Sequence, residues 1–162
     1  MKDYKNKTIL LTGASTGIGY AMAHLLANQG ANLIITARGR DKLEDLAKEL
    51  SHKNIQTHIF TQDISEANSA KKLFDQIEQA NLSVDLLINN AGYGRWGEFT
   101  EIDMQDYENM IQLNVTSLTE LSYLYAKKWL REGLEGLLIL HPLQLSTLFH
   151  IQLFMQGQKH MS

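Results

Sequence analysis

The sequence reads Thr8-Ile9-Leu10-Leu11-Thr12-Gly13-Ala14-Ser15-Thr16-Gly17-Ile18-Gly19 where a short apolar run enters a turn that contains three glycines. A segment with helical spacing of apolar residues follows from Ile18. Strand, glycine turn and helix together bring backbone N–H groups and a helix N-terminus up to a phosphate. Glycine suits the turn because a Cβ would block the anion or the left-handed backbone. Since glycine turns also close ordinary βα units, a phosphate site and a plain tight turn both stay open at this point.

The composition predicts one soluble domain. The chain has 162 residues, of which 44% are apolar and 20% charged, so it can build a core. A net charge of −3 gives no reason to expect nucleic acid or an anionic membrane as a partner. The chain has no cysteine, and its histidines are not spaced like metal ligands, so we expect no metal site. Without a signal-like start or an apolar run of about 20 residues, we expect a cytoplasmic protein.

Apolar runs and helical patterns alternate along the chain. Strands are predicted at Thr8–Thr12, Asn32–Ala37, Ile55–Thr61 and Val84–Ile88. Helices are predicted at Ile18–Gln29 with Gly30 as its C-cap, at 41–50 with Asp41 as N-cap, after Ser65 as N-cap, from Asp103, and at Val115–Arg131. The β-α-β order predicts an α/β fold with a doubly wound parallel sheet, in which helices cover both faces.

Three polar segments follow predicted strands. They are the Gly13 turn, Arg38 after the second strand, and Asn90 after the fourth strand. Ligands of open α/β sheets bind beyond the carboxyl ends of the strands, which is where all three segments fall. Their convergence indicates a binding site more strongly than any one of the motifs.

These segments together resemble the short-chain dehydrogenase/reductase family, over roughly residues 6–136. The resemblance implies a Rossmann-like domain that binds a nicotinamide dinucleotide. It implies that the nucleotide is bound by residues of the glycine turn, of the turn after the third strand and of the segment after the fourth strand, namely Gly13, Ser15, Thr16, Gly17, Ile18, Gly19, Asp63, Ile64, Asn90, Ala91 and Gly92.

The resemblance also assigns individual roles. Asp63 matches the acid that meets the adenine amino group, and Asn114 matches the asparagine of the catalytic tetrad, which holds a water in the proton relay. Asn90 matches the residue that ties the central strands together. Each residue also has a plain structural interpretation: Gly13 and Gly19 as turn formers, Asp63 as a helix cap and Asn114 as a bridge across a helix kink.

The residue after the second strand bears on the choice of cofactor. An acid there would bind a ribose 2′-hydroxyl and repel a 2′-phosphate. This chain has Ala37 there, followed by Arg38 and then Arg40. A guanidinium suits a phosphate, so the resemblance implies NADP(H) in preference to NAD(H), and a solvated basic turn is the alternative.

The family's remaining catalytic residues are missing. A serine at the end of strand five, a tyrosine thirteen positions later and a lysine four beyond that are expected, but the region reads Leu137-Leu138-Ile139-Leu140-His141-Pro142. No Tyr-x-x-x-Lys follows, and Glu135 and Lys159 are the only charged residues of 133–162. Tyr123 and Lys127 have the right spacing but precede strand five, so a helical i,i+4 contact is the better interpretation.

We interpret the unusual tail as the result of a shift of reading frame, and a genuine but divergent C-terminus is the alternative. Reading the codons of 137–162 one nucleotide earlier, with suitable synonymous codons, gives Ile-Ile-Asn-Ile-Ala-Ser-Thr-Ala-Ala-Phe-Asn-Pro-Ile-Pro-His-Ser-Thr-Phe-Tyr-Ala-Gly-Ala-Lys-Ala-Tyr-Val. That peptide has the serine, the tyrosine and the lysine at the family's spacing. We therefore expect 1–136 to be the amino-terminal part of a dinucleotide-binding domain, truncated after about strand four or five. Residues 137–162 are then an aberrant tail that follows a deletion near Gly136.

The expected function is that of an NADP(H)-dependent oxidoreductase, which moves a hydride between nicotinamide and a small carbonyl or alcohol substrate in the full-length relative. Without the serine, tyrosine and lysine we expect no turnover, which leaves a residual NADP(H)-binding module or a non-functional remnant. Either strand four or a mispaired 137–140 is expected to form an exposed apolar edge. The helix at 115–131 offers an apolar face for self-association.

Overall fold

The computed structural model describes residues 4–134, 136–140 and 153–154. It contains the strands β1 (Thr8–Thr12), β2 (Asn32–Ala37), β3 (Thr57–Thr61), β4 (Leu86–Asn89), β5 (Leu137–Leu140) and β6 (Leu153–Phe154). Its helices are α1 (Gly17–Asn28), α2 (Arg40–Leu50), α3 (Ser69–Gln79), α4 (Met104–Ile111) and α5 (Leu118–Glu132). The predicted aberrant tail lies outside the described residues except for β5 and β6.

The described strands form one sheet in the order β3-β2-β1-β4-β5-β6. The pairs of β1 with β2 and β4, of β2 with β3, and of β4 with β5 are parallel, whereas the short β6 runs antiparallel to β5. The order reverses at β1, which is the doubly wound α/β arrangement that the sequence predicts. Since β4 pairs with β5 over Leu86 to Asn89, it is not an edge strand, and that alternative of the sequence prediction was wrong.

Apolar side chains of the central strands fill two cores, one on each face of the sheet. Ile9 and Leu11 of β1 pack with α1 and α2 on one face. Leu10 of the same strand packs with α3 and α5 on the other face. All three side chains are fully buried. Burial on both faces is why the strands read as continuous apolar runs rather than as an alternation.

The helix boundaries depend on capping, which the sequence predicted only in part. Asp103 caps α4 as predicted, with its carboxylate accepting from the Gln105 N–H at 3.0 Å. Asp41 is not the N-cap of α2: Gly39 is, and Asp41 lies in the first turn. Ser65 is not the N-cap of α3 either, because its hydroxyl donates to Asp63 and the helix begins only after Asn68. Gly30 follows the C-cap residue of α1 with a φ of +78°.

The predicted helix at 115–131 begins as a π-helical segment. Gln112–Ser117 has π geometry and connects α4 to α5 without a break. Helix α5 is held by its buried face, on which Tyr125 and Trp129 pack in the second core. The Trp129 indole N–H donates to the Val84 carbonyl at 2.7 Å. Burial raises the pKa of Tyr125, whose hydroxyl has no hydrogen-bond partner among the described residues.

The opposite face of the same helical stretch carries exposed apolar side chains. Val115, Tyr123 and Leu130 are more than half exposed, as is Ile111 one turn earlier. This is the face from which the sequence predicts self-association, which stays a prediction. In the part of the chain that the structure describes, no helix is both long and apolar enough to cross a bilayer.

The hydrogen bond of Trp129 predicts a measurable contribution to stability. Trp129→Phe keeps an aromatic ring but leaves the buried Val84 carbonyl unpaired, so the free energy of unfolding should fall by about 1–3 kcal/mol. Urea denaturation measures the change. Tyr123→Phe, on the exposed side of the same helix, should change it by less than about 0.5 kcal/mol. Equal losses in the two variants would contradict this account of how α5 is attached.

Candidate nucleotide-binding site

A cavity of about 740 Å³ opens at the carboxyl ends of β1 to β4. The structure brings nearly all of the predicted nucleotide-binding residues together on its walls. Only Gly19 of that set is absent from the lining, which includes Gly13, Ser15, Thr16, Gly17, Ile18, Arg38, Asp63, Ile64, Asn90, Ala91 and Gly92. The three polar segments therefore meet at one edge of the sheet.

The glycine turn is held close to the segment that follows β4. Gly13 has a φ of +67°, and a Cβ there would lie 2.8 Å from the Ala91 Cα atom. A Cβ on the buried Gly19 would collide with the Gly13 carbonyl oxygen and the Asn90 amide. Gly19 thus permits the first turn of α1 to pack against the glycine turn instead of lining the cavity. Both glycines are required by a close approach of backbone, and not only by a turn.

Thr12 and Asn90 join the ends of the two central strands. The buried Thr12 hydroxyl accepts hydrogen bonds from the N–H groups of Asn90 at 3.0 Å and Ala91 at 2.9 Å, and donates to the Ile88 carbonyl at 3.4 Å. In return the Asn90 side-chain amide donates to the carbonyls of Thr12 at 3.0 Å and Gly13 at 3.2 Å. The structural role predicted for Asn90 is therefore present in the geometry.

Two helices begin at the cavity wall with open N-termini. The residue that precedes α1 is Thr16 and the one that precedes α2 is Gly39, and neither makes a side-chain capping hydrogen bond. The first N–H groups of a helix have no partner within the helix and carry a partial positive charge. Uncapped ends of this kind suit the phosphates of a nucleotide.

Three cationic side chains line the cavity beside β2. Arg40 is bound to Glu44, one helical turn along, with a distance of 2.6 Å between its Nε and the carboxylate. Arg38 and Lys42 are exposed, and within the described residues they have no ion-pair partner. The available positive charge is therefore Arg38, which the sequence predicted, together with Lys42, which it did not.

The wall that follows β3 contains the predicted Asp63 and Ile64. One Asp63 carboxylate oxygen accepts from the N–H and hydroxyl of Ser65, at 2.9 and 2.6 Å, so it also stabilises the local turn. The Ile64 carbonyl accepts a hydrogen bond from the buried Ser117 hydroxyl of the π-helical segment. This contact fixes the wall against the helix that carries Asn114. Sequence reasoning missed two polar residues of the same wall, Gln62 and Thr36.

Asn114 lies in the π-helical segment and does not line the cavity. Its side-chain amide donates to the Tyr93 carbonyl at 2.8 Å and accepts from the Tyr93 N–H at 3.2 Å. Tyr93 does line the cavity, directly after the Asn90 segment. The amide of Asn114 thus clamps the backbone of the cavity wall, whereas the structural alternative that the sequence left open was a bridge across a helix kink.

The other catalytic positions fall in the tail, whose residues 141–152 and 155–162 lie outside the described residues. Tyr123 and Lys127 make the helical contact that their spacing predicts, with the ammonium 5.8 Å from the ring centroid, on an exposed face of α5. Neither lines the cavity. Among residues 4–134, no cluster of three or more acidic or histidine side chains is arranged to hold a metal ion.

Residues 7–140 match the family described as short chain dehydrogenase. This chain belongs to that family. The match covers the glycine turn, the Asn90 segment and the β5 strand, and it corresponds to the amino-terminal portion of a short-chain dehydrogenase.

Individual family members are similar to this chain over part of their length. Glucose 1-dehydrogenase of Gluconobacter oxydans is 32% identical over 139 residues, which are 85% of this chain and 52% of that protein. An uncharacterized oxidoreductase of Bacillus subtilis is 41% identical over 97 residues, 60% of this chain and 36% of that protein. The chain thus spans about half or less of the length of these short-chain dehydrogenases.

Solved structures show the same fold. A ketone-specific alcohol dehydrogenase from Comamonas testosteroni superimposes with a TM-score of 0.76 and 30% identity, over 83% of this chain and 53% of that one. A short-chain dehydrogenase from Sphingobium yanoikuyae in complex with NADPH gives a TM-score of 0.75 and 29% identity, over 82% and 52%.

Variants of two buried threonines test whether side-chain hydrogen bonds hold the strand ends together at the site. Thr12 and Thr36 lie at the ends of neighbouring strands, and both are 1% exposed. Thr12→Val leaves the N–H groups of Asn90 and Ala91 unpaired and should lower the free energy of unfolding by about 2–4 kcal/mol. The Thr36 hydroxyl has no partner within the described residues, so Thr36→Val should be neutral or stabilising. Chemical denaturation measures both variants, and a Thr12→Val protein as stable as the parent would contradict the proposed tie.

Proposed function

We propose that this chain is an NADP(H)-binding Rossmann domain of a short-chain dehydrogenase, and that in its present sequence it does not catalyse hydride transfer. The observation that supports the cofactor preference best is Arg38. Its guanidinium lines the cavity at the end of β2, where Ala37 leaves no acid, and no described residue neutralises it. A dianionic 2′-phosphate would supply the missing countercharge.

The walls of the cavity suit the other parts of the same nucleotide. The open start of α1 would hold the diphosphate, because Thr16 makes no side-chain capping hydrogen bond and Thr16, Gly17 and Ile18 line the cavity. The N–H groups of Gly13 and Ala14 already donate to the Thr36 carbonyl, so the glycine turn contributes its shape rather than these two donors. The free oxygen of Asp63 would accept from the adenine amino group, and Ile64 would lie beside the base. Ala91 and Gly92 present backbone without bulk next to the glycine turn.

Lys42 reinforces the positive charge beside Arg38, whereas Arg40 does not. Lys42 lies in the first turn of α2 and lines the same cavity without an ion-pair partner in the described part of the chain. Arg40 is already bound to Glu44. We therefore assign the 2′-phosphate to Arg38 and Lys42 and not to the Arg38–Arg40 pair that the sequence suggested.

The preference for NADPH can be measured by isothermal titration calorimetry. Arg38→Ala should raise the Kd for NADPH roughly 10- to 100-fold, because a charged hydrogen bond contributes about 1.5–3 kcal/mol, and should leave the Kd for NADH nearly unchanged. Lys42→Ala should have a smaller effect with the same selectivity. The control Arg40→Ala should change neither constant by more than about twofold. Equal losses for NADPH and NADH would overturn the 2′-phosphate assignment.

Catalysis would need groups that this chain does not supply. Bound nicotinamide provides the hydride acceptor or donor. The protein must hold the carbonyl and move a proton, but the one Tyr-x-x-x-Lys pair within 4–134, Tyr123 and Lys127, does not line the cavity. The Asn114 side-chain amide is already hydrogen-bonded to the Tyr93 backbone, so a relay water would have to bind the main-chain carbonyl of Asn114 instead. We propose that the small carbonyl or alcohol substrate belongs to the full-length relative, and that the exposed apolar face of 115–131 can join copies of this chain in a homo-oligomer.

The codons themselves support a shifted tail. The missing serine would arise across His141 and Pro142, where the only options are serine and proline. The tyrosine would arise across Phe154 and Met155, where the options are tyrosine and histidine. Because methionine has a single codon, the residue after that tyrosine is fixed as alanine. Because so few residues are possible at these positions of the shifted frame, serine and tyrosine at the family's spacing are improbable by chance.

Sequencing the gene and restoring the frame tests this part of the proposal. The purified chain should show no NADPH oxidation above background with a panel of aldehydes and ketones. A gene with one nucleotide restored at codon 136 should read on without an early stop and yield an active reductase. Turnover by the present chain that is lost in Asn114→Ala, or a stop codon soon after codon 136 in the restored frame, would contradict the hypothesis.

A further inference from the structure

Gln62 is a buried polar residue whose side-chain amide has no partner among the described residues. It is 8% exposed and lines the cavity at the end of β3. Its backbone N–H donates to the Ala37 carbonyl at 3.1 Å, but its side-chain amide has no hydrogen bond to any described residue. Neither amide atom belongs to the fully enclosed unpaired atoms, so both can still be reached from the cavity.

An unpaired amide in a buried position destabilises the folded protein unless a ligand supplies its hydrogen-bond partners. Most buried polar side chains in folded proteins are hydrogen-bonded, and an unpaired one needs an explanation. Several other polar groups at this edge of the sheet have partners, among them Thr12, Asn89 and Asn90, whereas the unpaired Thr36 hydroxyl is fully enclosed. The Gln62 amide is not fully enclosed and its residue lines the cavity, so its partner belongs to whatever fills the cavity.

The position of Gln62 indicates which part of a bound nucleotide its side chain would contact. Its N–H bond to Ala37 places it beside the turn that carries Arg38, and its carboxyl side continues into Asp63 and Ile64. It therefore lies between the residues assigned to the 2′-phosphate and those assigned to the base. The adenosine half of a dinucleotide spans the same two positions.

We infer that the Gln62 side-chain amide reads the adenine base, donating to N7 and accepting from the 6-amino group. This assignment rests on the proposed NADP(H) binding and extends it. A glutamine presents one donor and one acceptor side by side, which matches the acceptor N7 and the donor N6 of adenine. A hypoxanthine or guanine base presents two acceptors there, so the amide pairs with only one of them. Gln62 is thus a determinant of base specificity in addition to Asp63.

Thr36 provides the contrast on the same wall. Its hydroxyl is also unpaired, but it is fully enclosed and out of reach of a ligand. Thr36 pairs with Phe60 in the strand register, and Gln62 follows Phe60 by two residues. Because side chains two residues apart along a strand lie on the same side, the side chains of Thr36 and Gln62 share one face of the sheet. Thr36→Val is therefore a matched control, because it removes a polar group from the wall without removing a group that contacts the base.

Calorimetric titration with two nucleotides tests the assignment. The probes are NADPH and its analogue with hypoxanthine in place of adenine, and the variants are Gln62→Met, which keeps the length of the side chain, and Thr36→Val. Gln62→Met should raise the Kd for NADPH about 3- to 10-fold and raise the Kd for the hypoxanthine analogue by a smaller factor. The ratio of the two constants should therefore fall towards one, while Thr36→Val leaves both constants unchanged.

A thermal melt without nucleotide separates base recognition from a structural role. Because the amide has no partner among the described residues, Gln62→Met should melt at the same temperature as the parent or higher. A lower melting temperature together with equal losses for both nucleotides would show a structural residue and overturn the inference. Unchanged constants for both nucleotides would show that water alone solvates the amide, which overturns it as well. If no variant and no parent protein binds NADPH, the proposed function itself fails.

Discussion

The structure depends on the close approach of two backbone segments at the end of the central strand pair. Thr12 and Asn90 exchange hydrogen bonds across β1 and β4, and the bare backbone of Gly13 and Gly19 lets the segments come within contact distance. This is the point where the strand order reverses and a crevice opens. The same contacts that join the two strands also place Gly13 and Asn90 in the cavity wall, so that stability and binding geometry cannot be separated there.

Much of the fold could be predicted from the sequence because buried parallel strands are almost uniformly apolar. The bounds of β1 and β2 agree with the prediction at both ends, and β4 differs by one or two residues. Local capping was harder to predict, since Asp41 and Ser65 are good caps in isolation. The residues that precede those helices are instead Gly39 and Asn68, the second with a left-handed backbone. The π-helical segment has no sequence pattern of its own, and it is fixed by tertiary contacts such as that of Ser117 with Ile64.

The candidate site was predictable where a motif fixes the backbone and less so where a side chain acts alone. The glycine turn and the Asn90 segment were found because their residue types are required by close contacts. Lys42 is in sequence only one more charge on an amphipathic helix, and Gln62 only a polar residue at a strand end. What distinguishes them is that neither side chain has a hydrogen-bond or ion-pair partner in the part of the chain that the structure describes. Arg40 shows the reverse, since Glu44 four residues later already signals the ion pair that occupies it.

The β5 strand shows why a frame shift would damage the chemistry of this domain more than its sheet. In the tail as it stands the strand reads Leu-Leu-Ile-Leu, and with suitable synonymous codons the alternative frame would read Ile-Ile-Asn-Ile. Leucine codons that begin with two thymines encode an apolar residue in either frame, so a strand shifted in this way would keep the composition of a buried β-strand, and β5 does pair with β4 in parallel. A catalytic serine, tyrosine or lysine tolerates no such substitution, because proton transfer needs one functional group at one place. Backbone pairing along β4 would therefore persist through a frame shift that removes the residues of the reaction.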